Sequence, residues 1–145
     1  MTHTKTISLT SHRQFEIINI TKHVETVVTE SKIRDGVAIV FAPHTTAAIR
    51  LNHHEPLLIQ DFMKLMYRLA PIENNYAHDF FEVRTNPAAA ERSNGHAHLK
   101  ALLLGASASI PIKSHSLFLG PRQSVFFVEL DGGRKRSCVI TIIGE

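Results

Sequence analysis

The spacing of apolar positions changes several times along the chain, and each change marks an element. Lys5-Thr-Ile-Ser-Leu-Thr10 and Gln14-Phe-Glu-Ile-Ile-Asn-Ile20 read as strands, with turn-like Ser11-His-Arg13 between them. From Thr21 the period lengthens: Val24, Val27, Val28 and Ile33 fall near helical spacing, and Asp35-Gly36 supplies a stop. Val37-Ala-Ile-Val-Phe41 is a continuous apolar run suited to a buried strand, Pro43 breaks it, and Thr46-Ala-Ala-Ile-Arg-Leu51 resumes an extended pattern. Glu55-Pro56 opens the clearest helix, because proline is favoured in a first turn. Leu58, Phe62, Leu65 and Leu69 give that helix an apolar stripe, and Pro71 ends it. Asn74 to Ser93 reads as a long polar connection, a length that in compact domains often carries function. Asn94 as a cap and Gly105 as a stop bracket a third helix containing Leu99, Leu102 and Leu103. Strands follow at 107–112, 116–119 and 124–130, and Asp131-Gly-Gly joins the last of these to Arg134–Ile143 as a hairpin. The pattern predicts an α+β domain over residues 1–145: an antiparallel, β-sandwich-like sheet with about three helices.

Composition narrows the classes. No apolar run approaches the ~18 residues that a membrane span needs, and the N-terminal segment lacks the apolar core of a signal peptide. A cytoplasmic protein without a membrane partner is expected. The single Cys138 cannot form an internal disulfide, and its apolar surroundings favour a small buried hydrophobe over a nucleophile. The net charge of +3 comes from scattered basic residues, with no Trp and two Tyr for stacking, which argues for a small anionic ligand and against nucleic acid.

Three constellations can carry chemistry. In Phe41-Ala-Pro-His44-Thr45-Thr46-Ala-Ala-Ile a polar stretch interrupts two apolar strands, so His44 stands where it can exchange a proton or hold a metal, and the Thr45 and Thr46 hydroxyls can bind a polar substrate. The alternative is a turn whose threonines satisfy backbone groups. The second joins Tyr76-Ala-His78-Asp79 to Asn94-Gly-His96-Ala-His98. His96 and His98 face one way only if extended; on a helix residues two apart diverge by about 200°. His78 or His44 is available as a further metal ligand, and Asp79 as a partner orienting an imidazole. The third is Gln123…Glu129-Leu-Asp131-Gly-Gly-Arg134-Lys-Arg136. A two-residue turn at Gly132-Gly133 pairs Asp131 with Arg134 and Glu129 with Arg136, a grid able to clamp phosphate or, alternatively, a solvated hairpin end.

Taken in order, these segments resemble one family over nearly the whole chain. His44-Thr-Thr-Ala-Ala-Ile, Asn52 with Glu55-Pro56, Tyr76-x-His78-Asp79, Asn94-x-His96-Ala-His98-Leu-Lys-Ala-x-Leu-Leu-Gly105, Ile110-Pro, Leu119-Gly-x-x-Gln123 and Glu129-x-Asp131-Gly-x-Arg134-x-Arg136 resemble the YjbQ family of secondary thiamine-phosphate synthase enzymes. The resemblance implies an α+β sandwich-like homotrimer whose site lies near subunit boundaries. His44, His78, His96, His98 and the Asp131–Arg136 segment would line it, with a divalent metal, zinc or magnesium. The activity attached to the family name joins hydroxymethylpyrimidine diphosphate to thiazole phosphate and releases pyrophosphate. Two positions depart from the family pattern: His53 follows Asn52 in place of Glu, and Arg122 precedes Gln123 in place of Trp.

From these readings His44, His98, Arg134, Arg136 and Asp131 are candidate catalytic residues, and Thr45, Thr46, Asn52, Asn94, Gln123 and Glu129 candidate substrate contacts. His78, His96 and His98 are candidate metal ligands. A transferase for phosphorylated small molecules leads. A zinc-dependent hydrolase and a non-catalytic anion-binding trimer are the alternatives.

Overall fold

The computed structural model describes residues 1–81 and 92–145; part of the expected long connection lies outside them. The described strands form two antiparallel sheets. β1 (Thr2–Thr10), β8 (Lys135–Gly144), β3 (Gly36–Phe41), β5 (Ser107–Lys113) and β6 (Ser116–Leu117) lie in that order in the larger sheet. β2 (Glu16–Asn19), β7 (Ser124–Glu129) and β4 (Ala47–Asn52) make the smaller one. Three α-helices are described, α1 (Thr21–Ser31), α2 (Pro56–Leu69) and α3 (Gly95–Leu104), with a 3-10 turn at Ala77–Asp79. The α+β sandwich expected from the pattern is present.

Strand alternation builds the core. Ile140 and Ile142 of β8, Val40 of β3 and Ile110 of β5 face inward from the larger sheet. They meet Ile49 of β4 and Val125 and Phe127 of β7, and α1 adds Val24, Val27 and Val28 to the same cluster. The opposite face of β7 is buried too: Phe126 and Val128 join Ala48, Leu130 and Ala97 of α3 in a second cluster, to which α2 contributes Phe62. A strand covered on both faces has no polar side, which explains the unbroken apolar run at 125–128.

Several expectations change. Strands β7 and β8 are not a hairpin. They belong to different sheets, so residues 130–134 form a corner that crosses from one sheet to the other. Glycine is required there by close approach: a Cβ on Gly132 would sit 1.9 Å from Arg13 O, and one on Gly133 2.6 Å from Ser11 O. Helix α1 ends at Ser31, where Lys32 takes a left-handed conformation (φ 59°), before Asp35-Gly36 is reached. The leucine stripes on α2 and α3 face outward. Of the α2 stripe only Phe62 packs inward, and Leu58, Leu65 and Leu69 are exposed. On α3 the buried residues are Gly95, His96, Ala97 and Lys100, while Leu102 is 80% exposed. Among the described residues no helix is long and apolar enough to cross a membrane.

Phe127 is fully buried between the sheets and α1. Phe127→Ala is expected to lower the unfolding free energy by about 3–5 kcal/mol in urea titration; a loss below ~1 kcal/mol would contradict this account of the core.

Candidate functional site

The corner between the sheets is organised by a buried ion pair. Glu129 has no solvent exposure, and Arg136, opposite it in the other sheet, is 6% exposed. Arg136 Nε donates to Glu129 Oε1 (2.9 Å) and Nη2 to Oε2 (2.5 Å), a bidentate clamp. Ser11 Oγ donates to Oε1 (2.6 Å), and the Leu130 and Asp131 N–H groups donate to Oε2 (3.0 and 3.2 Å). Nη2 of Arg136 also reaches Thr46 O (3.1 Å) and Oγ1 (2.8 Å), which fixes the His44-Thr-Thr segment to β8. Burial alone would raise the Glu129 pKa. The hydrogen bonds from Arg136, Ser11 and the Asp131 N–H outweigh it, and the carboxyl lies below its ordinary 4.5.

A second acid repeats the device nearer the surface. Asp131 is buried, and its Oδ2 accepts from Arg134 Nη2 (2.6 Å) and Asn94 Nδ2 (2.9 Å). Asn94 Oδ1 meets His78 Nε2 (3.1 Å), and the His78 ring stands edge-on to His98 with centroids 4.6 Å apart. The side chain of Asn94 is therefore engaged in this chain, although the residue occupies the N-cap position of α3. Capping comes from Asp79, whose Oδ1 accepts the Gly95 N–H at 3.0 Å.

These groups open onto a cleft of about 660 Å³ lined by His44, Thr45, Thr46, Asn94, His98, Arg92, Arg134 and Arg136, with Phe41, Ala42, Pro43 and Ala106. The size suits a small-molecule ligand. His44 Nε2 lies 3.0 Å from the Ser137 N–H and 3.1 Å from the Ser137 carbonyl oxygen, and the ring tautomer decides which of the two it engages. Partial burial, and then the charge on Arg136, hold its pKa below the ordinary 6.5.

The candidates thus divide. The structure brings His44, Thr45, Thr46, Asn94, His98, Arg134 and Arg136 to one cleft. Asp131 and Glu129 lie behind it as holders of the arginines and are not part of the lining. His96 does not join His78 and His98. It points to the other side of α3, where Nδ1 meets Lys100 Nζ at 2.9 Å and Gln14 Nε2 lies 3.4 Å from Nε2. The helix begins at Gly95, so the two histidines diverge as helical geometry demands. Burial first, and then the Lys100 charge, lowers the His96 pKa. Among the described residues no group of three or more His, Cys, Asp or Glu side chains converges as metal ligands.

Asn52 and Gln123 are also separate from the cleft. Asn52 pairs with Ser124 at the end of β4 remote from Thr46, and Gln123 Oε1 accepts the Gly120 N–H (2.8 Å) to close a turn before β7. His53 borders an apolar pocket with Leu58, Phe62, Leu65 and Phe126, and Arg122 lies in the exposed turn. Both departures from the family pattern therefore fall at the far end of the small sheet. Ser11 and Arg92 were not legible in the sequence: each is one polar residue in a polar segment, with nothing in the spacing to connect it to the corner at 129–134.

Fold and site together define a class: antiparallel two-sheet α+β proteins with an arginine-lined cleft where the two sheets are tied. The sequence profile of the UPF0047 protein YjbQ-like family matches residues 5–145, and the chain belongs to that family. It is 34% identical over 143 residues to a UPF0047 protein of Methanothermobacter thermautotrophicus, covering 99% of this chain and 93% of that one. With the UPF0047 protein YugU of Bacillus subtilis it shares 30% identity over 141 residues, covering 97% and 98%. The crystal structure of a YbjQ-like protein of unknown function from Sulfolobus solfataricus superposes with a TM-score of 0.91 at 34% identity, covering 100% of this chain and 99% of that one.

Removing one partner of the buried pair should be costly, since it leaves an uncompensated charge inside. Glu129→Gln is expected to lose about 3–5 kcal/mol near neutral pH by urea unfolding, and a loss under ~1 kcal/mol would mean that the pair does not organise the corner. The pKa direction adds a second readout. A carboxyl held below its ordinary value stabilises the fold above pH 4.5, and that contribution is lost as pH falls through the folded value. The acid limb of stability against pH should be shallower in Glu129→Gln than in wild type. His44, held below 6.5, likewise favours the fold above pH 6.5, and that contribution falls away as pH drops towards its folded value.

Proposed function

We propose that this protein is a transferase for phosphorylated small molecules, of the kind that joins hydroxymethylpyrimidine diphosphate to thiazole phosphate and releases pyrophosphate. The observation that carries the reading is the cleft in which Arg134 and Arg136, each held by a buried carboxylate, stand beside the Thr45 hydroxyl and the His44 imidazole. In such a reaction the carbon–oxygen bond to the diphosphate breaks as a bond to the thiazole nitrogen forms, and negative charge grows on the leaving group. Guanidiniums fixed beforehand stabilise that charge without reorganising, which is the main source of electrostatic catalysis. A His44 kept neutral near pH 7 is suited to accept or relay a proton.

A metal enters as a second reading, zinc-dependent hydrolysis, drawn from the His78–His98 contact. Zinc centres use three or four protein ligands, of which His78 and His98 would supply two here. Metal analysis of the purified protein separates the two readings. Stoichiometric zinc that is lost in His98→Ala favours hydrolysis, whereas metal-free protein with transferase turnover favours the first.

The homotrimer belongs to the same proposal. The outward leucines of α2 and α3, including Leu102 and Leu103, form the kind of apolar surface that another subunit covers. Light scattering on the purified protein is expected to return three times the chain mass. Arg134→Ala is expected to cut turnover of the pyrimidine diphosphate by about 10²–10³-fold, the scale of losing one transition-state donor. Unchanged turnover would remove Arg134 from the mechanism.

A further inference from the structure

Arg92, just ahead of α3, lines the cleft and has no role in the reading above. Its Nη1 donates to Asp131 O (2.9 Å) and Gly132 O (3.2 Å) and lies 3.5 Å from Asp131 Oδ1, while Nη2 is 3.5 Å from Gly133 O. Asp131 thus serves two guanidiniums, with Oδ2 on Arg134 and Oδ1 facing Arg92.

The cationic groups of the cleft fall into two sets, each built on its own acid. Arg136, 4% exposed in its side chain, belongs to the floor and is balanced by Glu129 alone. Arg92 and Arg134, 44% and 34% exposed, stand at the rim and share Asp131, so among the described residues two guanidiniums there meet one carboxylate. Donors are left over in both sets. Among the described residues, Nη1 of Arg136, Nη1 of Arg134 and Nε of Arg92 meet no protein acceptor.

We infer that the cleft holds its anion in two subsites, one at Arg136 with Thr45 and His44 and one between Arg92 and Arg134, and that Arg92 sets a preference for ligands with two linked anionic groups over those with one. This rests on reading the cleft as a phosphate-ligand site. A floor cation with a single balancing acid accommodates one phosphoryl group. The rim pair, with two guanidiniums on one carboxylate, attracts a second. Clasping the corner carbonyls aims Arg92 without using all its donors.

Isothermal titration of the wild-type, Arg92→Met and Arg92→Lys proteins with inorganic pyrophosphate and with orthophosphate, at one fixed ionic strength, tests this. Wild type should bind pyrophosphate more tightly. Arg92→Met should weaken pyrophosphate by about tenfold, the worth of one charge-assisted contact, and change orthophosphate by less than twofold. Arg92→Lys keeps the charge and loses the fork, and should fall between. It also carries the test if the Met variant does not fold, and wild-type-like pyrophosphate binding in it would then overturn the inference. Equal losses for both anions, or no loss for either, would overturn the role of Arg92 while leaving the cleft an anion site. Failure of wild type to bind either anion would overturn the phosphate reading itself, and the inference with it.

Discussion

Glu129 is a fully buried charged side chain, which a protein interior tolerates only when its lone pairs are matched. Here the match is made by groups from several parts of the chain: the Arg136 fork from the opposite sheet, the Ser11 hydroxyl and two N–H groups of the corner itself. Apolar contacts between two sheets are non-directional and leave their relative placement loosely defined. A bidentate pair between them does not. The Thr46 contacts of Arg136 extend that constraint to the His44 segment, so the sheets, the corner and one wall of the cleft share one geometric reference. That the pair is retained for placement more than for net stability is consistent with the cost of burying ions.

The same logic gives the cleft its electrostatic character. Asp131 and Glu129 lie behind the lining, with their oxygens turned toward arginines, so the acids orient the guanidiniums without presenting negative charge to a ligand. Among the described residues the polar groups that line the cleft are cationic or neutral: three arginines, two threonines, an asparagine and two histidines. The His44 pKa, lowered by burial and by Arg136, fits this field, because a second positive charge beside the guanidinium is disfavoured.

Much of this was legible in the sequence because it depends on local periodicity. Most strands and all three described helices lie close to where the spacing places them, and the Asp131–Arg134 and Glu129–Arg136 pairs expected from a hairpin register form although the hairpin does not. The errors share a cause. Asp131-Gly-Gly carries the composition of a tight hairpin, but the turn connects different sheets, and its glycines answer to the approach of Ser11–Arg13, a segment more than a hundred residues earlier. The outward leucines obey helical periodicity as well as inward ones would, since the pattern names a face and not its partner. A family motif is an order along the chain, and β4 carries its two ends to opposite ends of the sheet, so Asn52 and Gln123 lie away from the cleft although their motif positions adjoin it in sequence.

Helix α3 shows how one short element serves three environments. His96 and Lys100 are four residues apart and share the buried side, where each is the other's hydrogen-bond partner. His98 lies about 200° from His96 and faces the cleft, while Leu99, Leu102 and Leu103 are left to the outside. Lys100 pays the desolvation that burial imposes, which lowers its pKa, and the N–H···N contact with His96 suits a pair of which one member is neutral. A helix buried on its polar side cannot slide by one residue without sending Lys100 or His96 toward the leucine face and an apolar side chain into their place. Its rotation is therefore fixed by the buried polar pair, and the position of His98 in the cleft follows from that rotation.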